Sequence, residues 1–185
     1  MNDGRDASNV NDTERAIALL QAALTGHKKE NDPNFQLGSC VNFLAAAHRD
    51  FGARTKAMNL CREWVNKLHG EDQLNNRSLI GMAFCYAGID KENFPEIEKL
   101  VDELIRENDE TFGPYTSDSK ELIFAWTYFC ERCGQPEKAI PYLTRLTEQN
   151  RWQHGYLSSE HYEGLERLAN IYFTQGDFRD AASPF

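Results

Sequence analysis

The start of a helix-like segment recurs five times, at nearly constant spacing, along this chain of 185 residues. Five helix-like segments begin with a small or apolar residue, and successive starts are 41, 40, 42 and 42 positions apart: Ala16, Ala57, Ile97, Ala139 and Ala181. A glycine stands five positions before three of these residues, at Gly52, Gly134 and Gly176. A fixed period of about 20–50 residues is typical of stacked repeat proteins. The period therefore predicts a repetitive surface rather than a single catalytic pocket.

Helical periodicity runs through the whole sequence and predicts an all-α fold. The expected helices cover residues 12–25, 33–51, 54–68, 76–89, 94–108, 117–132, 136–149 and 159–175. Their N-terminal signals are Asn11 or Asp12, Asp32 followed by Pro33, Ser117, and Ser158 or Ser159. Gly26 is the expected end of the first helix. Pro141 would fall inside its helix, so we expect either a kink there or a later helix start.

Longer polar loops between the helix pairs carry a second series of glycines. Gly26, Gly70, Gly113 and Gly155 are 44, 43 and 42 positions apart. The predicted unit is a helix, a tight glycine turn, a second helix and a polar loop. Units are expected near 12–32, 33–74, 75–116 and 117–158, with a partial unit at 159–185 and a disordered segment at 1–11. The second full unit is degenerate, because Glu92 stands where the turn glycine is expected.

Composition excludes several classes of function. The chain has 29 acidic and 20 basic residues and a net charge of −9, which disfavours nucleic-acid binding. No run approaches the about 18–20 apolar residues of a membrane span, and the polar N-terminus is unlike a signal peptide. The five cysteines lie in apolar helix positions and are odd in number. We therefore expect reduced thiols and a cytoplasmic protein.

The last unit carries the most specific motif, in the order Leu165, Leu168, Ala169, Tyr172, Gly176 and Ala181. This order resembles the tetratricopeptide repeat, in which a large residue, a large–small pair, an aromatic residue and a small residue follow one another. The unit of about 42 residues is similar to the longer repeats of the kinesin-light-chain type. The resemblance implies a right-handed α-solenoid of antiparallel helix pairs, with about eight helices and a C-terminal stub. Its concave face would be lined by the first helix of each pair and would bind extended peptides or partner helices.

In that family, certain positions of the first helix in each repeat face the groove. Matching each position to the same place in the repeats of this chain gives ten candidate groove residues: Asn42, Arg49, Met82, Tyr86, Phe124, Tyr128, Arg132, Glu166, Asn170 and Phe173. Aromatic side chains are good contact residues because they lose little entropy on binding. An amide such as that of Asn42 or Asn170 can both donate to and accept from a peptide backbone. The alternative remains open that the aromatic residues pack against a neighbouring repeat and that the two amides are ordinary solvated residues.

Catalytic and metal-binding patterns are weak. Cys130 and Cys133 form a lone C-x-x-C, whereas a zinc site requires a second pair or nearby histidines. Cys130 and His48 occupy the aromatic core position of the repeat, and the other histidines, His27, His69, His154 and His161, resemble loop or cap residues. We expect no enzyme, metal or cofactor. A thiol enzyme or a metal site at Cys130 and Cys133 is the weaker alternative.

Two functional hypotheses follow. The first is a non-catalytic scaffold or adaptor that binds a protein or peptide in its concave groove. The second is the ligand-sensing or regulatory arm of a larger signalling protein whose effector domain lies beyond Phe185, because the second helix of the last unit would stop after about two turns. An uncapped C-terminal end would also allow self-association.

Overall fold

A computed structural model describes residues 3–30, 36–68, 70, 73–114 and 116–177 of the chain. Within these ranges the protein is all-helical, as the sequence predicts. The helices are α1 (Asp3–Glu30), α2 (Leu37–Asp50), α3 (Arg54–Val65), α4 (Leu74–Ala87), α5 (Phe94–Phe112), α6 (Ser117–Cys133), α7 (Ile140–His154) and α8 (Ser159–Gln175). Short 3₁₀ turns, Lys91–Asn93 and Pro136–Ala139, precede α5 and α7.

The N-terminal helix is longer than the sequence predicts. It begins at Asp3 instead of after a cap at Asn11 or Asp12, and it continues through Gly26 to Glu30. The predicted cap and stop are therefore wrong, and residues 3–11, which were expected to be disordered, belong to the helix. A glycine inside a helix costs only about 1 kcal/mol relative to alanine, so it need not end one.

The start of the second helix also differs from the prediction. Asp32 and Pro33, the predicted cap and first helical residue, lie outside the described residues. α2 begins at Leu37, and its first backbone N–H groups are not capped by the side chain of Gln36. The C-terminal stub predicted after α8 lies outside the described residues as well.

Side-chain caps define the start of the later helices. Thr116, one residue before the predicted Ser117, is the cap of α6 and accepts a hydrogen bond from the backbone N–H of Ser119 at 3.2 Å. Ser158 caps α8 by accepting from the N–H of His161 at 3.1 Å, as expected. Both side chains satisfy a donor that has no partner within the helix.

Pro141 is accommodated by a later helix start. The segment Pro136–Ala139 is a 3₁₀ turn, and α7 begins at Ile140. Pro141 is therefore the second residue of α7, where no N–H is needed for an intrahelical bond. Of the two predicted outcomes, the later start is correct.

Turns explain both glycine series except for Gly26, which lies inside α1. All six described glycines with a positive φ belong to them: Gly52, Gly70, Gly113, Gly134, Gly155 and Gly176. The degenerate second unit is turned differently, because the Asp90 side chain accepts from the N–H of Glu92 at 3.3 Å. Asn93 Nδ2 also donates to the carbonyl of Gly88 at 3.3 Å. Side-chain hydrogen bonds thus hold a turn that has no left-handed glycine.

Helices that are close in chain order pack against one another. α2 packs on α4 and α4 packs on α6, while α3 lies against α2 and α4, and α7 lies against α8. One core cluster runs through all eight helices, and its largest fully buried side chains include Trp126, Phe84 and Phe129. In α5 the buried residues Ile97, Val101, Leu104, Ile105 and Asn108 recur at helical spacing along one stripe.

The second helices of successive pairs are linked by polar side chains. Arg62 on α3 pairs with Glu96 on α5, and Lys138, just before α7, donates to Glu98 on α5 at 2.8 Å. Further along, Arg145 on α7 pairs with Asp109 on α5 through two N–H donors at 2.5 Å. These partners are 34 to 40 positions apart in the chain, close to the repeat period.

Candidate functional site

The candidate groove is built on the face that α2 and α4 share. Asn42 and Arg49 on α2 and Tyr86 on α4 line one small opening between these helices. Its remaining lining residues are all alanines: Ala45, Ala46, Ala83 and Ala87. Small residues at a helix crossing let two backbones approach closely, so the polar side chains lie at the rim. Arg49 also donates from Nε to Asp50 at 2.9 Å.

An aromatic pair extends this face from α4 to α6. The rings of Tyr86 and Tyr128 are 5.5 Å apart between centroids and are tilted by 50°. This spacing is within the range of favourable aromatic pairs. Burial, followed by the charges of Cys85 and Glu121, raises the pKa of Tyr86, so its hydroxyl stays protonated and can donate a hydrogen bond. Tyr128 is the more exposed partner.

Phe124 is the third aromatic residue of the face, and two cations lie over its ring. The Arg167 guanidinium on α8 is 4.8 Å from the ring centroid, and Lys120 Nζ on α6 is 5.8 Å from it. Arg167 is also held by Glu163, at 3.3 Å. The Arg167 contact links α8 to α6 through a long side chain. The sequence prediction did not include Lys120 or Arg167.

The other predicted groove residues divide into two groups. Met82 is half-buried and packs against the core, as do Tyr86 and Phe124, so two of the aromatic residues are partly packed as the alternative describes. Arg132, Glu166 and Asn170 are exposed, and 62% of the surface of Phe173 is exposed. Thus the structure brings together Asn42, Arg49, Tyr86, Phe124 and Tyr128. Glu166, Asn170 and Phe173 share α8, further along the same series of helices.

No family model and no curated protein sequence matches this chain at a significant level. None of the helices in the described ranges is both long and apolar enough to cross a membrane.

The cysteines are all buried thiols. Burial raises the pKa of Cys61 to about 12, and burial likewise raises the pKa of Cys85, Cys130 and Cys133. A reactive thiol needs the opposite conditions, namely exposure and a lowered pKa. Among the described residues, no group of three or more His, Cys, Asp or Glu side chains is placed to hold a metal ion.

The histidines are placed partly as predicted. His48 is buried on α2, in agreement with its assigned core position. His161 lies in the first turn of α8 beside the Ser158 cap, as predicted for a cap residue, and its side chain is buried. Its Nδ1 lies 3.1 Å from the carbonyl oxygen of Thr147, and this contact joins α8 to α7. His154 is exposed, whereas the side chains of His27 and His69 lie outside the described residues.

An exposed aromatic cluster at the α7–α8 turn was missed by the sequence reasoning. Trp152, Tyr156 and Leu157 are 80%, 64% and 85% exposed, respectively. The Arg151 guanidinium lies 5.4 Å from the Trp152 ring and 4.7 Å from the Tyr156 ring. The run of large apolar residues around Gly155 was the available signal. This cluster offers a matched control surface for tests of the groove, because it is equally aromatic and lies elsewhere.

Proposed function

We propose that this protein is a non-catalytic scaffold that binds an extended peptide or partner helix along the face formed by α2, α4, α6 and α8. The proposal includes a solenoid arrangement of tetratricopeptide type, with this face on the concave side. The observation that carries it is a set of three contacts on neighbouring helices: Asn42 and Tyr86 line one opening, Tyr86 pairs with Tyr128, and Arg167 lies over Phe124. The proposed partner is a protein or peptide, and the proposed role is that of an adaptor.

The arrangement of the helices supports the solenoid. α2, α4 and α6 lie side by side, and the second helices of the pairs are linked by ion pairs at about the repeat spacing. A stack of this kind exposes one series of helices along an extended surface, which is how repeat proteins bind elongated ligands. Because the stack is already packed, little ordering cost would oppose binding.

Recognition would divide between apolar and polar groups. Tyr128 and Phe173 provide exposed aromatic surface, and Asn42 and Asn170 provide amides that can pair with a peptide backbone. Arg49 and Arg132 add cations for an acidic side chain. Such a mixture of rigid aromatic anchors and adaptable polar contacts is typical of binding surfaces.

The weaker alternative, a thiol enzyme or metal site, is disfavoured by burial. Cys130 and Cys133 are 0% and 3% exposed, and the pKa of each is raised. We assign both to the core. Unpaired buried cysteines also fit a reducing compartment, so we propose a cytoplasmic location.

Selection of peptides from a random displayed library tests the proposal. Peptides enriched on the wild-type protein should bind a triple variant, Asn42→Ala with Tyr128→Ala and Asn170→Ala, at least about tenfold more weakly. The matched control carries Trp152→Ala and Tyr156→Ala, which remove exposed aromatic side chains outside the groove. The control should bind as the wild type does. Far-ultraviolet circular dichroism establishes that both variants remain helical.

Two results would contradict the proposal. One is equal binding of the selected peptides to the wild type and the triple variant. The other is a loss of binding in the Trp152 and Tyr156 variant alone, which would move the peptide site to the α7–α8 turn.

A further inference from the structure

A cavity of about 640 Å³ lies between α1, α2 and α3. It is separate from the groove, because it uses a different face of α2. Leu44 and His48 line the cavity, whereas Asn42 and Arg49 line the opening towards α4. Its volume is within the about 300–1,000 Å³ of small-molecule sites.

Four of the ten residues that line the cavity are apolar. Leu24 from α1, Leu44 from α2, and Leu60 and Trp64 from α3 contribute to its lining. Leu24, Leu44 and Trp64 are buried members of the core, and Leu60 is half-buried against it. These apolar side chains suit a hydrocarbon group, because burying apolar surface is favourable at about 25 cal/mol per Å².

His48 is the one histidine among the residues that line the cavity. His48 is only 9% exposed, yet no described group donates to or accepts from its ring nitrogens. Burial lowers the pKa of His48, and the positive charge of Lys56 lowers it further, so the ring is neutral at neutral pH. A neutral imidazole has one N–H donor to offer. That N–H can donate to an acceptor group of a ligand bound in the cavity.

The charges around the cavity favour an anion of single charge. Lys56 on α3 lines it and forms no ion pair with a described side chain. Glu63, the acidic residue of the lining, forms an ion pair with Lys67. One ammonium and one neutral imidazole match a carboxylate, whereas a doubly charged phosphate would require further cationic partners.

We propose that this cavity binds a small carboxylic acid with an apolar tail. Its carboxylate accepts from Lys56 Nζ and from the ring of His48. Its tail lies on Leu24, Leu44 and Leu60. The site is independent of the peptide groove, so failure of either proposal leaves the other in place.

Titration with octanoate, followed by the fluorescence of Trp64, tests this proposal. Trp64 lines the cavity, and a Trp64→Phe variant identifies its share of the signal against Trp126 and Trp152. We expect saturable binding of octanoate. Octylammonium has the same tail with the opposite charge and should not bind.

Substitutions separate charge recognition from unfolding. Lys56→Gln should weaken octanoate binding by about tenfold, because it removes a charge-assisted contact at an exposed position. Lys99→Gln, at another exposed lysine on α5, is the matched control and should have no effect. Leu60→Trp should fill the cavity and abolish binding, with the helical circular dichroism unchanged.

Three outcomes would overturn the proposal. One is the absence of saturable octanoate binding to the wild type. Another is equal binding of octanoate and octylammonium, which would indicate apolar burial alone. The third is unchanged octanoate affinity in the Lys56→Gln variant. If a short peptide such as acetyl-Ala-Leu binds where octanoate does not, the occupant is a peptide terminus and the proposal is wrong as stated.

Discussion

Arg62 on α3 donates to both carboxylate oxygens of Glu96 on α5, from Nε at 2.6 Å and from a terminal nitrogen at 2.7 Å. The two residues are 34 positions apart, so this pair joins the second helices of two successive helix pairs. Its geometry is bidentate, which is the most directional form of an ion pair between these residue types. The pair is partly exposed, and solvent therefore screens much of its energy.

A double-mutant cycle measures what this pair contributes. With Arg62→Ala and Glu96→Ala, we expect a favourable coupling of less than about 1 kcal/mol in the free energy of unfolding by urea. The coupling should fall in about 1 M salt. Arg106 and Glu110, which are 3.8 Å apart and more exposed, form the control pair, and their coupling should be close to zero. Equal coupling in the two pairs would contradict a special role for the bidentate geometry.

The same pair predicts a pH dependence. The hydrogen bond from Arg62 lowers the pKa of Glu96 in the folded protein. A lowered carboxylate pKa adds stability above the unfolded pKa of about 4.3, and this contribution is lost as the pH falls through the lower, folded-state value. The difference in unfolding free energy between wild type and Glu96→Gln should therefore be constant near pH 7 and shrink below about pH 4. A difference that grows on acidification would contradict the assignment.

Gly164 on α8 lies directly against Thr147 on α7. A methyl group added there would lie 2.2 Å from Thr147 Oγ1 and 3.1 Å from Thr147 Cβ. Gly164→Ala should therefore destabilise the protein by about 1–3 kcal/mol in urea unfolding. Gly26→Ala is the matched control, since nothing lies within 4 Å of its added carbon inside α1. It should be neutral or stabilising by up to about 1 kcal/mol. The reverse order of the two variants would contradict the packing of α7 and α8.

Two tryptophans differ sharply in their surroundings. Trp126 is 1% exposed, and its ring lies 5.2 Å from Phe94 and 5.5 Å from Phe129. Trp126→Ala should cost about 3–5 kcal/mol of unfolding free energy, because it leaves a cavity in the core. Trp152→Ala, at the exposed α7–α8 turn, should change it by less than about 0.5 kcal/mol. A similar cost for both would show that the turn is packed against a partner surface.

The cysteines should be unreactive in the folded protein. Burial raises the pKa of Cys61 to about 12 and raises the pKa of Cys130 and Cys133. With Ellman's reagent near pH 8, we expect negligible reaction in native buffer over minutes and five reactive thiols in denaturant. If Cys130 and Cys133 react rapidly in the folded protein, as located by mass spectrometry, the result would contradict this expectation and favour a thiol enzyme or metal site at these residues.

Much of the fold could be predicted from the sequence, because the helices have clear apolar stripes and glycine breaks. α8 begins and ends where its pattern indicates, at Ser159 and Gln175. The C-terminal end of the first helix could not be predicted, because a glycine such as Gly26 is compatible with either a helix interior or a helix end. The turn before α5 depends on a hydrogen bond from the N–H of Glu92 to the Asp90 side chain. No simple residue spacing in the sequence predicts this bond.

The candidate site could be predicted only in outline. Periodicity placed Tyr86 and Tyr128 on equivalent helix faces, but their ring contact depends on the distance between α4 and α6. Arg167 was missed because its long side chain reaches back to Phe124 from a position that the repeat pattern does not direct inward. The cavity beside His48 is a gap between three helices, and its size depends on how those helices are spaced.

The central claim is that peptide binding occurs on the face of α2, α4, α6 and α8, and nuclear magnetic resonance of the ¹⁵N-labelled protein tests it most directly. On addition of a library-selected peptide, we predict that the largest chemical-shift changes occur at the side-chain amides of Asn42 and Asn170 and at the backbone of Tyr86, Phe124 and Tyr128. Changes confined to residues 151–157, or to helices α3, α5 and α7, would contradict the claim.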